Sequence, residues 1–234
     1  MAGLYFHIPF CASRCIYCGF YSTLTPRAEK ATTMDLYVDA LCKEVVMEKK
    51  YIFDDKSDAA DRLETIYFGG GTPSQLNAFH IEKIFSCIAE NYADRIANYD
   101  EMEITFECNP DDVTSEFAEN LKHLPINRIS MGAQTFSDER LKFLRRRHKA
   151  ADVKTAISRL RNAGIENISI DLMFGFPNES LDEWKLDIDK AIALDVEHLS
   201  AYSLMYEEGT PLYQLLLKGK AKDMDEELYR TMYD

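Results

Sequence analysis

Six short apolar runs, each followed by a stretch with helical spacing, restrict what this 234-residue chain can fold into more than any other feature. The runs are Leu4 to Ile8, Glu64 to Phe68, Met102 to Phe106, Arg128 to Met131, Asn167 to Leu172 and His198 to Leu204. Helices are expected over Met34 to Lys50, Asn77 to Tyr92, Ser115 to Lys122, Asp138 to Arg145, Ala151 to Asn162 and Leu181 to Ala193. In the first of these, Leu36, Val38, Leu41, Val45 and Val46 mark one amphipathic face. Strands alternating with helices imply a parallel sheet, and right-handed crossovers curl it toward a barrel. Six units fall short of the eight that close one. The expected fold class is therefore α/β, a partial, open (β/α)6 TIM-like barrel, with a flat doubly wound sheet as the alternative. The polar stretch Asp54 to Arg62 reads as a loop. Glu207 to Asp234 reads as a turn at Glu-Glu-Gly-Thr-Pro with two amphipathic helices after it, the second over Asp225 to Tyr233. This gives a core over residues 1–205 and a short helical extension over 206–234, the start of a truncated C-terminal region.

Composition narrows the setting. With 46% hydrophobic and 29% charged residues the chain is ordinary globular material. No apolar run approaches the length that crosses a bilayer. The start, MAGLYFHIPF, lacks a basic n-region and enters a strand at once, so no signal or transit peptide is visible and a cytoplasmic location is expected. A net charge of −13 argues against nucleic acid as a partner, which would need a basic stripe. The one basic knot, Arg145 to Lys149, reads as a solvated helix end.

Six cysteines in a chain of this size do not make a disulfide scaffold. Cys42 and Cys87 fall in helical patterns and Cys108 at a strand end. Cys11, Cys15 and Cys18 form a separate set, in the loop that Pro9 starts after the first strand. Three thiolates at this spacing can wrap one inorganic centre, one ligand short of a closed iron-sulfur or zinc site. Three reduced thiols, or a zinc knuckle with His7 as fourth ligand, are the other readings. His7 itself reads as a packing or hydrogen-bonding group at the strand end.

In barrels of this kind chemistry sits where strands end. Strand two runs into Gly69-Gly70-Gly71-Thr72-Pro73, either a tight turn or a place where bare backbone approaches a ligand. Strand three ends at Glu107, strand four at Gly132-Ala133-Gln134 and strand five at Asp171, and the following helix of strand four carries Arg146. Carboxylates inside an apolar barrel are costly unless paired or met by a polar ligand. These four side chains therefore form either a structural network or a binding site.

The spacing CxxxCxxC is the signature of radical S-adenosylmethionine (SAM) proteins, and Tyr17 matches the aromatic they carry before the last cysteine. HIPFCxxxCxYC, YFGGGTPS, ECNP, RISMGAQTF, the LxxxxRxH stretch at Leu141 to His148 and DLMFGFP, in this order, resemble the oxygen-independent coproporphyrinogen III oxidase family. The resemblance implies a [4Fe-4S] cluster on Cys11, Cys15 and Cys18, its fourth iron open to SAM. It also implies SAM contacts at Tyr5, Tyr17, Gly70, Gly71, Thr72, Glu107, Gln134, Arg146 and Asp171, with Ser203 as a further one. The dehydrogenases of the family carry a fourth cysteine two residues after the third, where this chain has Phe20. In this it resembles the HemW branch, regarded as heme chaperones. That likeness implies heme or a porphyrin as cargo, acceptor heme proteins as partners, and an electron donor such as flavodoxin or ferredoxin. The branch's C-terminal HNxxYW stretch is absent here. The other reading is an enzyme that uses a 5′-deoxyadenosyl radical to decarboxylate a porphyrinogen propionate.

Overall fold

The computed structural model describes residues 2–24, 30–53, 62–96 and 98–234. Strands β1 (Ala2–Ile8), β2 (Leu63–Gly70), β3 (Glu103–Cys108), β4 (Arg128–Gln134), β5 (Asn167–Phe174) and β6 (His198–Ser203) form one sheet in chain order. Every neighbouring pair is parallel. Helices α1 (Lys30–Ile52), α2 (Ala78–Tyr92), α3 (Ser115–Leu121), α4 (Asp138–Phe143), α5 (Ala150–Asn162) and α6 (Leu181–Ile192) fill the crossovers. Among the described residues β1 and β6 do not pair, so the sheet stays open and the fold is the partial (β/α)6 barrel. The expected Asp54 to Arg62 loop lies, apart from Arg62, outside the described residues.

Local chemistry starts the helices where the pattern requires. Asn77, Thr114, Ser137 and Ser180 each accept a backbone N–H of the first helical turn, satisfying donors that would otherwise be orphaned.

Across neighbouring strands the side chains fall into rows in register. Phe6, Phe68, Phe106, Ile129 and Ile168 lie side by side in register on five strands, all buried under the helices. Phe68 touches Phe6, Phe85 and Phe106 at 4.9 to 5.5 Å between ring centres. Full burial of one such ring contributes about 2–3 kcal/mol. The row one residue earlier, Tyr5, Tyr67, Thr105, Arg128 and Asn167, faces the other way, into the lumen. A closed eight-stranded barrel packs its interior with branched apolar side chains; this open one lines it with polar groups.

Two elements follow the sheet, α7 (Pro211–Leu217) and α8 (Glu226–Tyr233). Leu212 of α7 completes a small buried cluster with Ile16, Leu144, Met173, Phe176 and Leu204. Met232 of α8 enters the main core, where Trp184 Nε1 donates to its carbonyl at 3.0 Å. Among the described residues no helix is long and apolar enough to cross a membrane.

Four strands run further than the sequence reading, to Gly70, Cys108, Gln134 and Phe174; in β3 and β4 the added residues include Glu107 and Gln134, polar groups on the cavity wall that mimic loop composition. Helix α4 ends early, at Phe143, and Arg145 takes φ 60° in the left-handed region. Arg146 therefore lies in the turn after the helix, not on it.

Candidate functional site

The cysteine loop is anchored at several points. Phe10–Cys11 pairs in a two-residue parallel ladder with Thr23–Leu24, and Thr23 N donates to Pro9 O at 2.7 Å. At its middle, Ile16 N donates to Leu144 O at 3.2 Å and Ile16 O accepts from Leu212 N at 2.9 Å. The Ile16 side chain, 2% exposed, fills the small cluster.

Cys11, Cys15 and Cys18 line one cavity of about 440 Å³. Its wall also carries Tyr17, Gly70, Gly71, Thr72, Glu107, Gln134, Arg146, Asp171 and Ser203. Of the expected site residues only Tyr5 lies off this wall. It is 59% exposed and stacks on Tyr67 at 5.9 Å. Tyr67 takes the place on the wall, and its hydroxyl donates to Glu107 Oε1 at 2.6 Å.

The thiols are partly compensated where they stand. Thr72 Oγ1 donates to Cys11 Sγ at 3.5 Å, and Arg146 approaches Cys15 Sγ at 3.6 Å. Burial raises the pKa of Cys18, and the neighbouring Cys15 and Cys11 add to the rise. Among the described residues no three His, Cys, Asp or Glu side chains converge closely enough to hold a single metal ion. His7 gives no fourth ligand: its ring bridges Tyr21 O at 2.9 Å and the Tyr5 hydroxyl. Three soft sulfur donors from one loop line the cavity, while the further thiol on its wall, Cys108, is buried on β3 and His7 is engaged elsewhere; this set suits an iron-sulfur cube with one open corner better than a closed zinc site. Arg146 Nε points the same way, being buried without a partner.

The glycine turn has a definite structural reason. Gly70 sits at φ 107°, and a Cβ on Gly71 would lie 2.8 to 3.1 Å from the backbone of Ile8, Pro9 and Phe10. Bare backbone here lets the β2 turn press against the root of the cysteine loop.

Glu107 and Asp171 both carry raised pKa values because burial disfavours their charge. Asp171 reaches about 6, held from going higher by hydrogen bonds from Ser130 and Ser200 and by Arg128 and Arg146. Arg146 binds Asn109 Oδ1 and Gly132 O, each at 2.6 Å. A Cβ on Gly132 would fall 2.7 Å from Gln134 Nε2 and 3.2 Å from the Arg146 guanidinium. Gln134 itself stands at φ 69°. The basic knot is thus not a solvated helix end: Arg146 turns inward, and Arg147 pairs with Asp111 and Asp112 at 2.7 Å. His148 is buried with Nε2 3.1 Å from Ala133 O, and burial lowers its pKa to about 4.

Tyr67, Arg128, Ser130 and Ser200 share the wall and were not among the expected residues. Strict alternation in TIYFGG, RISMG and HLSAYS carried the signal. Cys42 and Cys87, scattered in sequence, meet where α1 packs on α2, with Cys87 Sγ donating to Cys42 O at 3.3 Å.

Comparison with known proteins follows this geometry. The chain is 37% identical along its whole length to the heme chaperone HemW of Bacillus subtilis, of which it spans 58%. It is 34% identical over 98% of its length to the heme chaperone HemW of Lactococcus lactis, spanning 56% of that protein. Among solved structures, coproporphyrinogen III oxidase (HemN) from Escherichia coli superposes with a TM-score of 0.80 at 24% identity. That match covers 99% of this chain and 50% of the other, and it shows the fold. The model of the radical SAM superfamily matches residues 5–191. With its three cysteines, its open barrel and this match along most of its length, the chain belongs to the radical SAM superfamily.

Proposed function

We propose that the chain is the cluster- and SAM-binding part of a heme carrier of the HemW kind, working in the cytoplasm with heme as cargo and heme proteins as acceptors. Identity of 37% along the full chain to a heme chaperone supports the cargo. The observation that carries the cofactor assignment is one cavity lined by the three thiols of the cysteine loop together with carboxylates, an amide and a guanidinium. Cys11, Cys15 and Cys18 would hold the cluster. When bound, it supplies one electron and an open iron to SAM, with a flavodoxin- or ferredoxin-type protein as the proposed donor.

The chain's own groups then have distinct tasks. Arg146 offsets thiolate charge at Cys15, and the Thr72 hydroxyl donates to Cys11. Glu107 and Asp171 are acceptors for the hydroxyl and ammonium groups of SAM, which return to them the solvation they lose on burial. Gly70 and Gly71 offer backbone, Gln134 and Ser203 polar side-chain atoms, and Tyr17 covers the cluster loop; Tyr5 acts from behind Tyr67. Residues 206–234 are proposed as the beginning of a region that continues in the whole protein.

The deciding experiment incubates the longer protein that contains this chain separately with heme and with coproporphyrinogen III. Heme should bind with a Soret band, and no protoporphyrinogen should form. His148→Ala should leave that band unchanged, since the ring is buried and engaged. Protoporphyrinogen formation that needs both SAM and Cys15 would replace the carrier with a dehydrogenase.

A further inference from the structure

Behind the cavity, α6 and the turn before it carry carboxylates that end on neighbouring loops instead of in solvent. Asp187 is 2% exposed. Its Oδ2 accepts from Thr135 Oγ1 at 2.5 Å and its Oδ1 from Phe136 N at 3.1 Å, while Ser137 N donates to Thr135 Oγ1 at 3.1 Å. These bonds fix the turn immediately after Gln134. Glu179, 3% exposed, does the same for the loop after β5: its Oε2 accepts from Gly175 N at 2.7 Å and Phe176 N at 3.1 Å. Arg140 ties the two together, 3.0 Å from Glu179 and 2.9 Å from Glu183, with its guanidinium 5.4 Å from the Phe176 ring centre. Phe176 in turn packs in the cluster that holds Ile16, between Cys15 and Tyr17.

Two buried carboxylates are a costly way to tie loops unless the loops need one shape. The loop after β4 does need one. The register of β4 on β5 slips between Gly132 and Gln134, and Gln134 adopts φ 69°, a conformation that non-glycine residues hold only when their surroundings impose it. That combination turns the Gln134 amide back over Gly132, beside Arg146 and onto the cavity wall.

We infer that Asp187 is a positioning residue for the cavity: it holds the left-handed turn that presents Gln134 to a bound ligand, while Glu179 braces the cysteine loop from the opposite side through Phe176. This rests on the assignment of SAM to the cavity. No residue of α6 lines the cavity, so Asp187 acts only through Gln134.

The test is SAM affinity measured by calorimetry on anaerobically reconstituted protein, in a double-mutant cycle. Asp187→Ala should weaken binding about three- to thirtyfold, the range seen for residues that couple to a site without touching it. Gln134→Ala should weaken it comparably, and the double variant should bind no worse than Gln134→Ala alone. Asp187→Asn can still accept from Phe136 N and donate to Thr135 Oγ1, so it should retain most of the affinity and also serve if the alanine variant folds poorly. Two independent losses that add in the double variant, or wild-type affinity in Asp187→Ala, would overturn the inference. A wild-type protein that binds no SAM would remove the ligand assignment, and the inference with it.

Discussion

Cys15 and Arg146 lie 131 positions apart in sequence and 3.6 Å apart in the fold, and the residue scale of this protein is set by such pairings. That Cys11, Cys15 and Cys18 stand apart from the other cysteines was legible from spacing, and all three line one cavity. Replacing Cys15 with Ala should abolish the visible absorbance and most of the iron after anaerobic reconstitution, whereas Cys42→Ser and Cys87→Ser should retain both. Loss of iron in either serine variant would move the cluster ligands. Asp171 was legible as a strand-end carboxylate, but its raised pKa was not, since that follows from burial, which the hydrogen bonds from Ser130 and Ser200 only partly offset. Its folded pKa of about 6 lies above the ordinary value. Across that window the folded chain keeps a proton that the unfolded chain has lost. Its contribution is therefore stabilising at low pH and is lost as pH rises toward 6 and beyond. In the cofactor-free protein Asp171→Asn should raise stability by about 1–2 kcal/mol at about pH 7.5 and change it little at about pH 4.5. Denaturant unfolding at the two pH values checks this; equal effects at both would show that the carboxyl is not raised. Tyr5 shows the converse limit, since sequence order could not reveal that Tyr67 of the adjacent strand stands between it and the cavity.

At the scale of elements, the sequence reading put α2, α3 and α6 within a residue or two of their observed ends, where the structure shows Asn77, Thr114 and Ser180 as caps. Strand ends were less legible, because a polar residue aimed into a polar lumen looks like the first residue of a loop. The role of α7 was not legible at all. Its first turn supplies the N–H that holds Ile16 O and the side chain, Leu212, that closes the small cluster beneath the cysteine loop. Leu212→Ala should cost about 2–4 kcal/mol, as deletion of a fully buried leucine does, and should speed loss of the cluster to a chelator. Leu217→Ala in the same helix, at a position 64% exposed, should do neither. Unchanged cluster retention in Leu212→Ala would mean that α7 merely rests on the loop. A boundary at residue 205 accordingly cuts through contacts: the segment after it belongs physically to the cysteine site, whatever else it leads into.

For the whole molecule, the six-strand count and the parallel order were readable from the alternation of runs, and openness followed from the shortfall against eight. What could not be read was that the two faces of the sheet live in different media. Helix-side residues such as Ile104, Ile129 and Ile170 are fully buried, and lumen-side neighbours such as Glu107, Arg128 and Asp171 are only partly so. Most apolar burial is therefore gathered on the outer face, and ligand chemistry on the inner one. Tolerance to substitution should alternate along each strand with a beat of two. A protease-resistance survey of all single variants should be harsh at Phe68, Phe106 and Ile168 and lenient at Tyr67 and Asn167; an even profile would contradict it. Such a sheet gives its lineage a workbench: one side can be rewritten for a new small molecule, residue by residue, while the other keeps the chain folded.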